Sequence, residues 1–154
     1  ENAGIEGITL DRAALWIIAE RPFRNDSLTM LVSMEKGKEE IYAYSLEPAL
    51  DTDRGVSEIL NYSSDEFLTL ERGYSKERKR VLAEVYLCKL TKDHHVLKTK
   101  LADLNSLPIA KVDNYEGMSW GPVLPNGRRS LLLVSDDNEN SPQTTDILVF
   151  ELIP

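Results

Sequence analysis

The stretch EFLTLER at residues 66–72 decides the fold, because related segments occur twice more along the chain. Each copy follows a turn and a shorter apolar segment. The copies are too far apart for a helical hairpin repeat, and their spacing is close to that of a four-stranded propeller blade with long loops. The paired segments are GIEGITL (4–10) with LWIIAER (15–21), VSEIL (56–60) with EFLTLER (66–72), and YEGMSW (115–120) with SLLLVSD (130–136).

Further β-type segments follow each pair. Runs rich in Val, Ile, Tyr and Thr and bounded by Gly, Asp, Asn and Pro predict strands. The sequence therefore predicts an all-β, propeller-like fold of four, four and three strands, in one partial propeller domain of residues 1–154 with blades at about 1–50, 51–104 and 105–154. The additional segments lie at 28–34, 41–46, 81–87, 95–101 and 146–152.

One segment also fits a helix. Residues 11–20 begin with an Asp that would cap a helix and continue with apolar residues. Its correspondence with two strand-like copies favours a strand, because the repeat spans the whole chain and the helix signal is local. The linker at 102–113 has room for one turn of helix.

Three blades cannot close a ring, since propellers have four to eight. Two arrangements fit this number. The chain is part of a larger propeller whose remainder completes the ring, or it is a half-ring that forms a six-bladed homodimer. Either arrangement predicts an exposed apolar flank on the isolated chain.

Composition excludes several classes of function. With 26 acidic and 18 basic side chains the net charge is −8, which disfavours nucleic-acid binding, and the basic stretch 72–80 is interpreted as a solvated turn. The longest apolar run, 13–19, is shorter than the about 20 residues of a membrane span. Cys88 is the sole cysteine, which leaves no intrachain disulfide and no cysteine-based zinc site.

Carboxylates recur at comparable places in the repeat. Glu6 and Glu116, each followed by glycine, begin the segment that would line a propeller channel. Glu20, Glu71 and Asp136 mark the ends of the second segments and are interpreted as equivalent positions. Five carboxylates at one mouth repel each other, so the pattern predicts a bound cation or paired arginines there.

Two arginines and one acidic loop extend this candidate site. Arg21 and Arg72 directly follow two of the carboxylates and would pair with them or hold a phosphate. Ordinary strand-end ion pairs are the alternative. The loop 136–140 places Asp136 and Asn138 at the alternating positions of the first half of a calcium loop, without the rest of an EF-hand; a solvated acidic turn is the alternative.

These residues also carry a resemblance to a known family. YEGMSWGP (115–122), LPNGR (124–128) and LLVSDDN (132–138) resemble the carboxy-terminal half of the phytase-like esterase domain family. The family pattern is a Glu-Gly motif, an Asp-Gly-Arg-type turn and a Ser-Asp-Asn segment. Here Asn126 replaces the Asp of the turn, and Asp137 is inserted before the final Asn.

The resemblance implies a β-propeller that is exported to the periplasm or beyond the cell and hydrolyses a small phosphorylated substrate with the help of calcium. A non-catalytic exported propeller that binds a partner is the alternative, so whether the chain is an enzyme stays open. In the hydrolase hypothesis Glu71, Arg72 and Glu116 are catalytic, and the metal ligands are Glu6, Glu20, Glu71, Glu116, Asp136 and Asn138.

Overall fold

The structure is a computed structural model that describes residues 4–12, 14–22, 28–48 and 53–153. The predicted boundary between the first two blades falls outside these residues. Eleven strands occur in the described part: β1 Ile5–Asp11, β2 Ala14–Ala19, β3 Leu28–Glu35, β4 Lys38–Ser45, β5 Gly55–Asn61, β6 Glu66–Ser75, β7 Arg80–Leu90, β8 Val96–Asp103, β9 Tyr115–Val123, β10 Arg129–Ser135 and β11 Ile147–Glu151.

The strands form three antiparallel sheets, each a meander in chain order. Sheet 1 contains β1 to β4, sheet 2 contains β5 to β8, and sheet 3 contains β9 to β11. The predicted all-β fold with four, four and three strands is confirmed. Within the described residues the sheets do not close into a barrel, which is consistent with a partial propeller. The predicted blade boundaries stay a prediction.

The ambiguous segment is a strand, so the helix alternative is wrong. In β2, Trp16 and Ile18 belong to the core between sheets 1 and 2, whereas Leu15 and Ile17 alternate with them on the other face. Both faces of the strand are apolar. Its sequence therefore lacks the alternation of apolar and polar residues by which a strand is distinguished from a helix. Residue 13, where the apolar run begins, lies outside the described residues.

The linker between sheets 2 and 3 contains a 3₁₀ turn at Leu104–Ser106, as the sequence allowed. Asp103 caps it by accepting a hydrogen bond from the backbone N–H of Asn105. Across the ranges that the structure describes, no helix has the length and apolar character needed to cross a membrane.

The first strand of each sheet is the innermost, and β5 lies between β1 and β9. The backbone N–H of Asn61 in β5 donates to Thr9 Oγ1 in β1 at 3.0 Å. On the other side, Ser57 Oγ in β5 donates to the backbone carbonyl of Tyr115 in β9 at 3.2 Å. Sheet 2 is thus held between its two neighbours at the centre of the molecule, and each of the two junctions encloses an apolar core.

A β-bulge occurs at the same place in all three inner strands. Ile5 and Gly7 pair with consecutive residues of β2, so Glu6 is the extra residue, and Ser57 and Glu116 are extra in the same way. Bulges bend a strand and strengthen its twist, as inner strands around an axis require. We call the end of the molecule that contains these three residues the bulge end.

The bulges correct the alignment of the repeat. Residues Ala19, Glu71 and Ser135 pair with the position just before each bulge. The structural counterpart of Glu20 and Asp136 is therefore Arg72, and the prediction that Glu71 is equivalent to them is wrong. A shift of one residue in a strand moves a side chain to the opposite face of the sheet, which separates Glu71 from the other carboxylates.

The packing of β1 on β5 can be tested at Gly7. A Cβ at this residue would lie 2.8 Å from the backbone nitrogen of Ile59, which cannot move away as a flexible side chain could. We expect Gly7→Ala to lower the free energy of unfolding by about 1 to 3 kcal/mol in urea denaturation.

Gly4→Ala is the matched control, because nothing lies within 4 Å of its added Cβ. Its effect should stay within about 0.5 kcal/mol. Equal stabilities of the two variants would contradict the close approach of β1 and β5.

Candidate functional site

Arg72 and Glu116 form an ion pair that joins sheets 2 and 3 at the bulge end. Both side chains are partly exposed, so a solute can reach them. Glu116 Oε1 accepts from Arg72 Nη2 and from Asn114 Nδ2, the latter at 2.9 Å. These bonds fix the carboxylate next to the guanidinium, and the structure thus brings two of the predicted catalytic residues together.

Asp136 joins this group through the backbone, since its N–H donates to the carbonyl of Asn114 at 2.9 Å. Its own carboxylate turns back, because Asp136 Oδ1 accepts from the backbone N–H of Asn138 at 3.0 Å. Asp136 and Asn138 are both exposed. The loop 136–140 thus contains a turn stabilised by the carboxylate of Asp136, and its calcium binding stays a prediction.

Glu20 and Glu6 lie on sheet 1. Glu20 is buried against Gly55 of β5 and pairs with Arg21 at 3.1 Å, and Arg21 also pairs with Asp53 at 2.8 Å. Glu6 is exposed, and its side chain has no hydrogen bond or ion pair within the described ranges. Glu6 and Glu20 are thus separate from the group around Glu116, and Glu20 belongs to a different set of ion pairs on sheet 1.

Glu71 lies in the interior, with 0% of its side chain exposed. Its Oε1 accepts from the hydroxyl of Tyr44 in sheet 1 at 2.8 Å and from Lys98 Nζ, and its Oε2 accepts from the backbone N–H of Glu47 at 3.2 Å. Arg54 Nη1 lies 3.6 Å from the same carboxylate. Glu71 thus ties sheet 1 to sheet 2 and does not reach a substrate in solution.

A second carboxylate, Glu84, shares Arg54 with Glu71. Arg54 Nη2 donates to Glu84 Oε2 at 2.6 Å, and Lys100 Nζ donates to its Oε1 at 2.7 Å. Tyr86 also donates its hydroxyl to Oε2. We call Arg54, Glu71, Glu84, Lys98 and Lys100 the ionic cluster: two carboxylates surrounded by three cations.

Sequence reasoning missed most of this cluster. Lys98 lies over the rings of Tyr86 and Tyr44, at 4.5 and 4.8 Å from their centroids, where a buried ammonium is stabilised by the ring faces. The available signal was the spacing of Lys98 and Lys100, two residues apart in a strand and hence on one face. Which carboxylates they meet depends on neighbouring strands, and no local pattern specifies that.

The cluster shifts the ionisation of its members. Burial opposes the charge of Glu84, but the hydrogen bonds from Lys100 and Tyr86 and the charge of Arg54 outweigh it, so the pKa of Glu84 is lowered. Burial raises the pKa of Tyr44, and the negative charge of Glu71 raises it further. Burial also raises the pKa of the neighbouring Cys88 thiol to about 11, which leaves it protonated and unreactive near neutrality.

The described residues do not fit a calcium ion held by several carboxylates. No three Asp, Glu, His or Cys side chains within those ranges lie close enough together to hold a metal. Glu20, Glu71 and Glu116 each have a protein cation as partner instead. Another cation beside them would meet positive charge already in place. The metal and catalytic roles of the predicted residues stay predictions.

Removing the charge of Glu84 tests the ionic cluster. Because its folded pKa lies below the ordinary value of 4.5, ionised Glu84 stabilises the fold above that pH, and this stabilisation is lost as the pH falls toward the folded pKa. We expect Glu84→Gln to lower the free energy of unfolding by about 3 kcal/mol at pH 7, because Arg54 and Lys100 lose their charged partner.

The difference between variant and wild type should shrink below pH 4.5. The control is Glu77→Gln, an exposed glutamate in the β6–β7 turn, for which we expect no measurable change. A Glu84→Gln effect that is small or independent of pH would show that the cluster contributes no net stability.

Residues 1–139 match the model of a family described as phytase-like, with esterase-like activity of phytase. No curated protein and no solved structure matches the chain.

Proposed function

Because the chain belongs to the phytase-like family, we propose that it takes part in the hydrolysis of phosphate esters through Arg72 and Glu116. The observation that carries this proposal is their ion pair at the bulge end, where a partly exposed guanidinium and carboxylate lie side by side. Arginine matches the geometry of phosphate oxygens, and the adjacent carboxylate can accept a proton.

The surroundings of the pair favour an anionic ligand. A cavity of 680 Å³ lies between the β6–β7 turn, the linker after β8 and the loop after β10. Arg72 and Glu116 do not line it, but its lining includes Tyr74, two residues beyond Arg72, and Asp113, next to Asn114. A volume of this order suits a small organic molecule. Lys79 and Arg80 also line it, and neither has an ion pair within the ranges that the structure describes. The basic turn therefore gives a protein of net charge −8 a local attraction for phosphate.

The proposed reaction is direct attack of water on the phosphorus atom. Glu116 Oε1 is engaged by Arg72 and Asn114, whereas Oε2 has no hydrogen bond within the described residues and is available to accept a proton from water. The water oxygen bonds to phosphorus while the bond from phosphorus to the alcohol oxygen breaks. The proton on Glu116 then passes to that alcohol oxygen. Arg72 stabilises the negative charge on the phosphoryl oxygens.

The protein's own cations take the place that the sequence-based hypothesis gave to calcium. In this proposal Arg21, Arg54 and Arg72 neutralise the carboxylates of the bulge end, and Arg72 contacts the substrate directly. Calcium dependence is a separate property, which the assay below measures by adding calcium or a chelator.

A non-catalytic binding module is the second candidate, and the pairing of the carboxylates favours it. A base held in an ion pair is weaker than a free one, so the same arrangement can bind a phosphate ester without cleaving it. A Glu71→Gln variant would not distinguish hydrolysis from binding. Glu71 is buried in the ionic cluster, so the loss of its charge would lower the stability of the fold.

The hydrolase proposal is tested by phosphate release from p-nitrophenyl phosphate. We expect Arg72→Gln to lower kcat/KM about 100-fold, as the loss of one transition-state contact does. Arg12→Gln is the matched control, because Arg12 is exposed in the β1–β2 turn, at the far end of its sheet from Glu6. This variant should hydrolyse the ester at the wild-type rate. Each assay is run with calcium and with a chelator, and we expect the same rates in both.

Equal rates for the Arg72 and Arg12 variants would contradict the role of Arg72. Loss of activity in chelator would assign a metal to the reaction. A wild-type chain that binds the ester but releases no phosphate would contradict hydrolysis and support the binding module.

A further inference from the structure

The cavity near the Arg72–Glu116 pair has an aromatic side, an apolar side and a polar side. The β6–β7 turn contributes Tyr74, which is 49% exposed, so its ring is open to a solute. The linker after β8 contributes apolar side chains, and the loop after β10 contributes amides. The apolar side chains are Leu104, Leu107, Ile109 and Val112. All of these residues lie between positions 74 and 143, where sheet 2 meets sheet 3.

The lining of the cavity carries an excess of positive charge. Among the described residues that line it, the carboxylate is Asp113, which pairs with Lys111 at 2.8 Å and accepts two backbone hydrogen bonds. The charge of Asp113 is therefore already balanced. Lys79 and Arg80 have no ion pair within the described ranges, so their charges are left for a ligand. In a protein of net charge −8, this is a local attraction for an anion.

The cavity extends from the ion pair toward the end of the β6–β7 turn. Arg72 and Tyr74 are two residues apart in β6, so their side chains lie on the same face, about 7 Å apart along the strand. Tyr74 pairs with Val81 of β7, which places Lys79 in the turn beyond this pair and farther from Arg72. A ligand whose phosphate contacts Arg72 therefore passes Tyr74 before it reaches Lys79.

We propose that the cavity holds the organic part of the ester and that this part is an aromatic ring with a second acidic group. The proposal rests on the proposed function, which places the phosphate at Arg72. Tyr74 and the apolar side chains of the linker pack against the ring. Lys79 pairs with the second acidic group. The substrate class is thus an aryl phosphate that carries a carboxylate or a similar acid.

The two features of the cavity exclude simpler ligands by different means. A phosphorylated polyol would lose hydrogen bonds to water against the apolar side of the cavity, and nothing there would replace them. An aryl phosphate without a second acid would fill the cavity but leave the charge of Lys79 without a partner. A ligand with both an aromatic ring and an acid matches the whole lining.

Binding is measured with phosphonates, because their carbon–phosphorus bond resists hydrolysis. The aromatic part is tested by isothermal titration calorimetry with benzylphosphonate and dihydroxypropylphosphonate. We expect wild type to bind the benzyl compound about tenfold more tightly, since burial of the ring is favourable. Tyr74→Ala should remove most of this preference. Tyr62→Ala is the matched control, because Tyr62 is also exposed but does not line the cavity, and it should keep the preference.

The second acidic group is tested by comparing para-carboxybenzylphosphonate with benzylphosphonate. We expect wild type to bind the carboxylated compound about fivefold more tightly, which is the upper range for an exposed ion pair. Lys79→Gln should abolish this preference. Lys76→Gln is the matched control, because Lys76 is exposed in the same turn but does not line the cavity, and it should keep the wild-type ratio. Circular dichroism checks that every variant is folded.

Phosphate release from p-nitrophenyl phosphate is measured separately on the same samples, which distinguishes this inference from the hydrolase proposal. Both binding preferences without phosphate release would support the ligand class and contradict hydrolysis. Phosphate release without the two preferences would overturn the ligand class and leave hydrolysis standing. Equal affinities for the benzyl and dihydroxypropyl compounds would also overturn the inference, as would the absence of binding by all three phosphonates.

Discussion

The position of β5 between β1 and β9 is the constraint on which the rest of the structure depends. Its hydrogen bonds to Thr9 on one side and from Ser57 to Tyr115 on the other set the distance between sheets. Successive side chains along a strand point to opposite faces of the sheet. One set of side chains in each sheet therefore faces the next sheet in the chain, and the alternate set faces away from it. The apolar junctions and the ionic cluster both follow from this stacking.

Sequence patterns predicted the fold well because strand alternation is local. The segment around Trp16 was ambiguous only because both faces of β2 are apolar, and comparison with the other copies resolved it. The bulges at Glu6, Ser57 and Glu116 left no mark that sequence reasoning could use. The alignment matched Glu71 to Glu20 and Asp136 by residue type, whereas the pairing matches it to Ala19 and Ser135. An error of one residue in a strand reverses the face, so the alignment placed Glu71 at the surface when it lies inside.

The candidate site was predicted in part for the same reason. Arg72 and Glu116 were both identified from the sequence, and the structure pairs them across two sheets. The buried partners of Glu71 were not identified, because Tyr44, Arg54 and Lys98 come from three different strands or loops. Charge balance offers the physical explanation: clustered carboxylates predicted a bound cation or paired arginines, and Glu20, Glu71 and Glu116 each have an arginine or lysine as partner.

Methyl NOE spectroscopy tests the stacking of the sheets most directly. The methyl groups of Ile18 and Ile59 both lie 2.9 Å from the place that a Cβ on Gly7 would occupy, although they belong to different sheets. The account predicts a strong NOE between these two methyl groups and none between Ile8 and Ile59, since Ile8 lies on the opposite face of sheet 1. An absent cross-peak between Ile18 and Ile59, or a strong one from Ile8, would contradict the arrangement of the three sheets.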